Sequence, residues 1–96
     1  MAIGQRPYKV DIGEQFRYKA YDAGKIISDA KRLGYDRDTN AWTNEDNRQV
    51  YEEALMKLSD DYMAAVRLGV DTDALIEAMQ KARINNDDRY LIRVGR

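Results

Sequence analysis

At 96 residues the chain has room for one core, and 44% hydrophobic with 34% charged residues is the balance of a soluble globular protein rich in charge. Sixteen Lys and Arg against seventeen Asp and Glu leave a net charge of −1, so no bulk charge draws it to nucleic acid or to a membrane. With no Cys and no His, disulfides, thiol redox chemistry, Cys/His zinc sites and imidazole-based triads are excluded. No apolar run approaches the roughly 18 residues of a membrane span. Met1 to Val10 lacks the apolar stretch of a secretory signal, so a non-secreted setting is expected.

Residues 1–10 read as an extended arm. Pro7 has no amide proton and holds Arg6 in extended geometry, and Tyr8-Lys9-Val10 alternates as a short strand does. Asp11 with Glu14 three residues on has capping-box spacing, and Phe16, Ala20, Ala23, Ile27 and Ala30 then recur on one face of a 3.6-period helix. This predicts helix 1 over about 12–33, with Tyr21 and Ile26 widening its buried face, Gly24 at a close approach of another backbone, and Gly34 as its stop.

A polar loop follows, and Thr43 is a suitable N-cap for helix 2 over about 44–68, whose stripe is Tyr51, Leu55, Leu58, Tyr62 and Ala65 with Ala54, Val66 and Leu68 alongside. Gly69 ends it. Asp71 as N-cap with Val70 and Leu75 at staple spacing opens helix 3 over about 71–84, which carries Leu75, Met79 and Ala82. Asn85-Asn86-Asp87-Asp88 reads as a turn. The tail 89–96 alternates Tyr90, Ile92 and Val94 against Arg89, Leu91 and Arg93, which predicts a short strand able to pair with the first arm or with another molecule. The expected fold is mainly α: a single three-helix bundle over 1–96 with extended N- and C-terminal arms.

Charge is segregated along this chain. Residues 1–34 hold seven basic and four acidic residues, net +3, and residues 35–69 hold four basic and eight acidic, net −4. An antiparallel pair of helices wants that complementarity; the competing reading is a nucleic-acid surface built from Arg6, Lys9, Arg17, Lys19 and Lys25. Ala65, Gly69, Val70 and Leu75 fit the packing positions of a helix-turn-helix, but the start of the second helix would offer Asp71, Asp73 and Glu77 to phosphates, which argues against DNA reading there. Asp36, Asp38 and Asn40 mimic the opening of a calcium loop, yet Ala41 and Asn47 stand where the loop needs Gly and Glu, so a solvated turn is expected and no metal. Glu53, Lys57 and Asp61 at successive i, i+4 steps form a salt-bridged helix surface rather than an acid/base pair. Ser28 and Ser59 lie in helices without a base, and no glycine loop cradles phosphate, so no enzyme, cofactor or small-molecule substrate is expected.

Tyr, Trp and Arg dominate binding hot spots, which makes Arg6, Tyr8, Tyr18, Trp42, Arg89, Tyr90 and Arg93 the candidate partner-binding residues. In general layout, a helical body with extended terminal arms, the chain is similar to the short accessory and structural proteins of tailed phages. That likeness implies a non-enzymatic protein-binding module, an assembly component or an inhibitor of a larger complex, self-associating or bound to a protein partner. It also implies a cytoplasmic or virion-associated location without membrane contact.

Overall fold

The computed structural model describes residues 12–95; Asp11, the proposed first N-cap, and the arm with Arg6, Tyr8 and Lys9 lie outside them. The fold is mainly helical, with α1 (Ile12–Gly34), a hairpin of β1 (Tyr35–Asp36) and β2 (Ala41–Trp42), α2 (Glu45–Arg67), α3 (Thr72–Lys81) and α4 (Asn86–Val94). No helix among the described residues is long and apolar enough to cross a membrane.

The two long helices form an antiparallel pair joined by the hairpin. Their register is set at the hairpin end. Gly34 lies so close to Asn47 that a Cβ on it would stand 2.7 Å from the Asn47 Cβ, and at the other end Ile12 and Gly13 share a cleft with Gly69 and Val70. Ala20, Ala23, Ile27 and Ala30 from α1 meet Ala54, Leu55, Leu58, Tyr62 and Ala65 from α2, and Leu75, Ala78, Met79, Ile84 and Ile92 complete one core. Alanine dominates the α1 side of this seam, which lets the two axes approach closely.

α3 covers α1 from one side. A Cβ on Gly24 would meet the Ala82 Cβ at 2.7 Å and the Ile84 Cδ1 at 3.0 Å, so the expected close approach is real and is made by the end of α3. The Ser28 hydroxyl adds a hydrogen bond to the Ala82 carbonyl. α4 lies against α2 on the same side: Ser59 Oγ donates to the Ile92 carbonyl at 3.2 Å, and a Cβ on Gly95 would touch the Met63 methyl. The short helices thus form a second layer over one face of the α1–α2 pair.

Several expectations require correction. Of the tail 89–96, residues 89–94 are not a strand; they are most of α4, a fourth helix. Asn85 caps it by accepting from the Asp88 amide at 2.8 Å, so the polar run read as a turn is a helix start. Of the alternating residues Tyr90, Ile92 and Val94, only Ile92 is buried, while the inward pair Asp88 and Ile92 has helical i, i+4 spacing. Pairing of this tail with the Tyr8–Val10 arm as two strands is therefore ruled out.

The loop after α1 is a hairpin, with Tyr35 opposite Trp42 and Asp36 opposite Ala41. Its turn has Asn40 at φ 55° and Asp36 Oδ1 accepting from the Asp38 amide at 2.9 Å. Thr43 does not cap α2: its amide and hydroxyl both donate to the Gly34 carbonyl, and Asn44 takes the cap by accepting from the Asn47 amide. Helix 3 stops earlier than 84. Arg83 adopts φ 69° and Ile84 N donates to Met79 O, a left-handed helix end made without glycine that turns Ile84 into the core. Tyr21 and Ile26 do not widen the buried face of α1, and Val66 and Leu68 do not join that of α2; all four are exposed.

Gly24→Leu forces the α1–α3 contact apart and should lower unfolding free energy by roughly 2 kcal/mol in urea melts, as overpacked cores do; a variant as stable as wild type would contradict the close approach.

Candidate functional site

Two features of the described residues stand apart from ordinary core and solvated surface. The first is a buried polar cluster where the hairpin, α1, α2 and α4 meet. Asp88, the third residue of α4, is only 2% exposed. Its Oδ1 accepts a 2.6 Å hydrogen bond from the Tyr51 hydroxyl on α2. Its Oδ2 faces the Lys31 ammonium of α1 at 3.0 Å, an ion pair not aligned as a hydrogen bond. Lys31 Nζ sits 5.0 Å from the Tyr35 ring centroid and 5.2 Å from that of Tyr51. Trp42 lies between these rings, 5.2 Å edge-on from Tyr35 and 5.0 Å from Tyr51.

A buried charge persists only when paired and hydrogen-bonded, and here every bond crosses between elements. The Asp88 amide is capped by Asn85, and Arg89 ties the preceding turn by donating to the Ile84 carbonyl at 2.6 Å and to the Asn86 side chain. The cluster is an architectural lock.

The second feature is the face of the α1–α2 pair opposite α3 and α4, which is bare among the described residues. Helical phase places Lys19, Asp22, Ile26 and Leu33 on that side of α1, within a sector of about 60° at about 100° per residue. It places Asp46, Val50, Glu53, Lys57 and Asp61 on the matching side of α2, within about 80°. Leu33 is 63% exposed, Ile26 47% and Val50 44%, and the register at the hairpin end sets Leu33 and Val50 near the same level. Apolar side chains this large, gathered on one uncovered face, mark interaction surfaces.

The residues expected from sequence are dispersed. Tyr18 and Tyr90 are exposed but on α1 and α4, with no contact between them, and Arg93 is exposed near Tyr90. Trp42 is half-buried among Tyr35 and Tyr51, and Arg89 is held within its own helix start, so both serve the fold rather than a free surface. Tyr18 and Tyr21 do border a shallow groove of about 230 Å³ against Glu77, Ala78 and Lys81 of α3.

Of the basic set, Arg17 is paired with Glu14 and lies 5.0 Å over the Tyr18 ring. Its pKa is raised first by the Glu14 hydrogen bond and then by that carboxylate's charge. Lys19 lies 5.9 Å over the Phe16 ring and points about 160° away from Arg17 around the helix. These cations and Lys25 do not form one patch. Among the described residues no cluster of three acidic side chains is placed to hold a metal ion, and Asp36 instead caps its own turn.

The signal for the bare face was present as Ile26 and Leu33, seven residues apart on one side of α1. The signal for the lock lay in Asp88 three residues after a capping Asn. Comparison with known proteins adds no relative: no family model, no curated protein and no solved structure matches the chain.

Lys31→Met leaves the Asp88 carboxylate buried without a counter-ion and should cost about 3–5 kcal/mol of stability, as broken buried pairs do. Lys31→Met with Asp88→Leu should recover at least half of that loss by chemical denaturation; simple additivity would contradict the pairing.

Proposed function

We propose that the chain is a non-enzymatic protein-binding module, a small assembly component or an inhibitor of a larger complex. The observation that supports this reading is the bare face carrying Ile26, Leu33 and Val50. Surface apolar residues are common singly, but three large ones on one flat helical face lose favourable burial unless another surface covers them. Helix-on-helix docking buries such a face at about 25 cal/mol per Å² of apolar area, before the cost of association.

The location of the face differs from the hot-spot residues named from sequence, but the kind of function is the same. A nucleic-acid role finds no matching support among the described residues: Arg17, Lys19 and Lys25 point in different directions around α1, and Asp22 and Asp29 lie between them. The phage-like assembly role was expected from a layout with two extended arms, and since the C-terminal one is the helix α4 that layout no longer supports it.

Leu33→Asp combined with Val50→Asp changes two exposed positions and should leave the thermal melt within a few degrees of wild type. It should reduce any stoichiometric association of the chain, read by analytical ultracentrifugation of native complexes, by at least tenfold. Complexes of unchanged affinity would overturn the use of this face.

A further inference from the structure

The bare face carries a charge pattern of its own, and we propose that its occupant is an amphipathic helix of another protein, rich in Lys and Arg. This rests on the protein-binding reading and names the partner's chemistry. The carboxylates of the face come in two rows. On α2, Asp46, Glu53 and Asp60 recur every seven residues, all exposed, along the edge farther from α1. On α1, the exposed Asp22 and the half-buried Asp29 have the same interval along the edge farther from α2. Seven residues make about two helical turns, about 10.5 Å, with a drift of only about 20° around the axis.

The two rows stand opposite each other. Counting in step from the contact of Gly34 with Asn47 sets Asp29 within one residue of the level of Glu53, and Asp22 within one residue of that of Asp60. Ile26, Leu33 and Val50 fall between the rows, so an apolar strip is flanked by acid on both sides.

Ion pairing sets these carboxylates apart. Elsewhere on the long helices Glu14, Glu45, Glu52 and Asp61 each have a basic partner in their own helix. Asp22, Asp46, Glu53 and Asp60 have no ion pair among the described residues, and Asp29 has only a 3.4 Å contact with Arg32. Lys57, four positions after Glu53, faces Asp61 instead at 3.9 Å. From Asp22 to the hairpin the two rows therefore outweigh Lys57, the one cation that helical phase puts between them among the described residues.

That charge selects the occupant. A second copy docked through the same face would set acid on acid, and nucleic acid or an anionic membrane would be repelled. A helix with an apolar stripe and Lys or Arg on both flanks meets the strip and both rows together, and its own turns match their seven-residue repeat. The stretch from Asp22 to Gly34 is about 18 Å long, so the contact is small and the complex is of the transient, micromolar kind.

Fluorescence anisotropy of a dye-labelled peptide titrated with the full chain tests this. The probe is a short helical peptide with Leu on one face and Lys on both flanks; its counterpart carries Glu in place of Lys. The Lys peptide should bind at micromolar concentrations and the Glu peptide at least tenfold more weakly. Leu33→Asp should weaken binding of the Lys peptide at least tenfold although it adds negative charge. Asp22→Lys with Glu53→Lys should weaken it as much, with a wild-type helical spectrum. Asp38→Lys with Glu77→Lys, an equal change of net charge away from the face, should leave the affinity nearly unchanged.

No binding of the Lys peptide at submillimolar protein, or an equal loss from the two charge-reversed pairs, overturns the basic helix as occupant. A Glu peptide that binds as tightly as the Lys peptide, in a manner lost with Leu33→Asp, overturns it too while the protein-binding reading stands. That reading falls separately, when native complexes keep their affinity in the variant with Leu33→Asp and Val50→Asp.

Discussion

A carboxylate with almost no access to water decides how this chain is layered. Asp88 draws the Tyr51 hydroxyl and the Lys31 ammonium to one point, so α4 is held to α2 and α1 together, and the hairpin rings close over the lysine. A buried ion pair of this kind adds little net stability, but any arrangement that separates its members is heavily penalised. Its value is therefore in specifying one docking of α4. At the far side of the same layer, Gly24 admits Ala82 and Ile84 closely enough to seat the end of α3. Both constraints act on one side of the long helix pair, and on the opposite side Ile26, Leu33 and Val50 stay exposed among the described residues.

That asymmetry links sequence to function. The alanine-rich stripe of α1 gives a thin, close seam with α2, so the pair alone cannot enclose its flanking apolar residues. Short helices cover one flank. The other is flat and about one helix pair wide, with Ile26, Leu33 and Val50 toward the hairpin end among charged residues. Arg48 with Glu45 and Glu52 shows the contrasting solvated pattern: exposed charges satisfied within their own helix, which hold the Glu45 carboxyl below its usual range through the Arg48 hydrogen bond.

Much of the fold was legible in sequence, and the failures have physical causes. The long helices announced themselves through stripes repeated over six turns, and Asp71 with Val70 and Leu75 located the start of α3. α4 was misread because six residues cannot separate a period of two from one of 3.6. Tyr90, Ile92 and Val94 alternate convincingly until the structure buries Ile92 and exposes the other two. The end of α3 was misplaced because Arg83 makes a left-handed turn that sequence rules assign to glycine.

The candidate site was less legible still. Ile26 was visible as apolar, yet an amphipathic pattern cannot say which flank of a helix another element will cover. Asp88 looked like a turn residue since its partners, Lys31 and Tyr51, are distant in the chain. Trp42 and Arg89 were drawn into local contacts that composition does not reveal.

Amide hydrogen exchange within α4 tests most directly whether the Asp88 lock fixes the layering. Residues Leu91–Val94 should exchange as slowly as the core of α2 around Leu58, both opening only with global unfolding, and should lose that protection selectively when Asp88 is replaced by Ala. Exchange of the α4 amides at the rate of an unstructured chain in the wild-type protein would contradict the account.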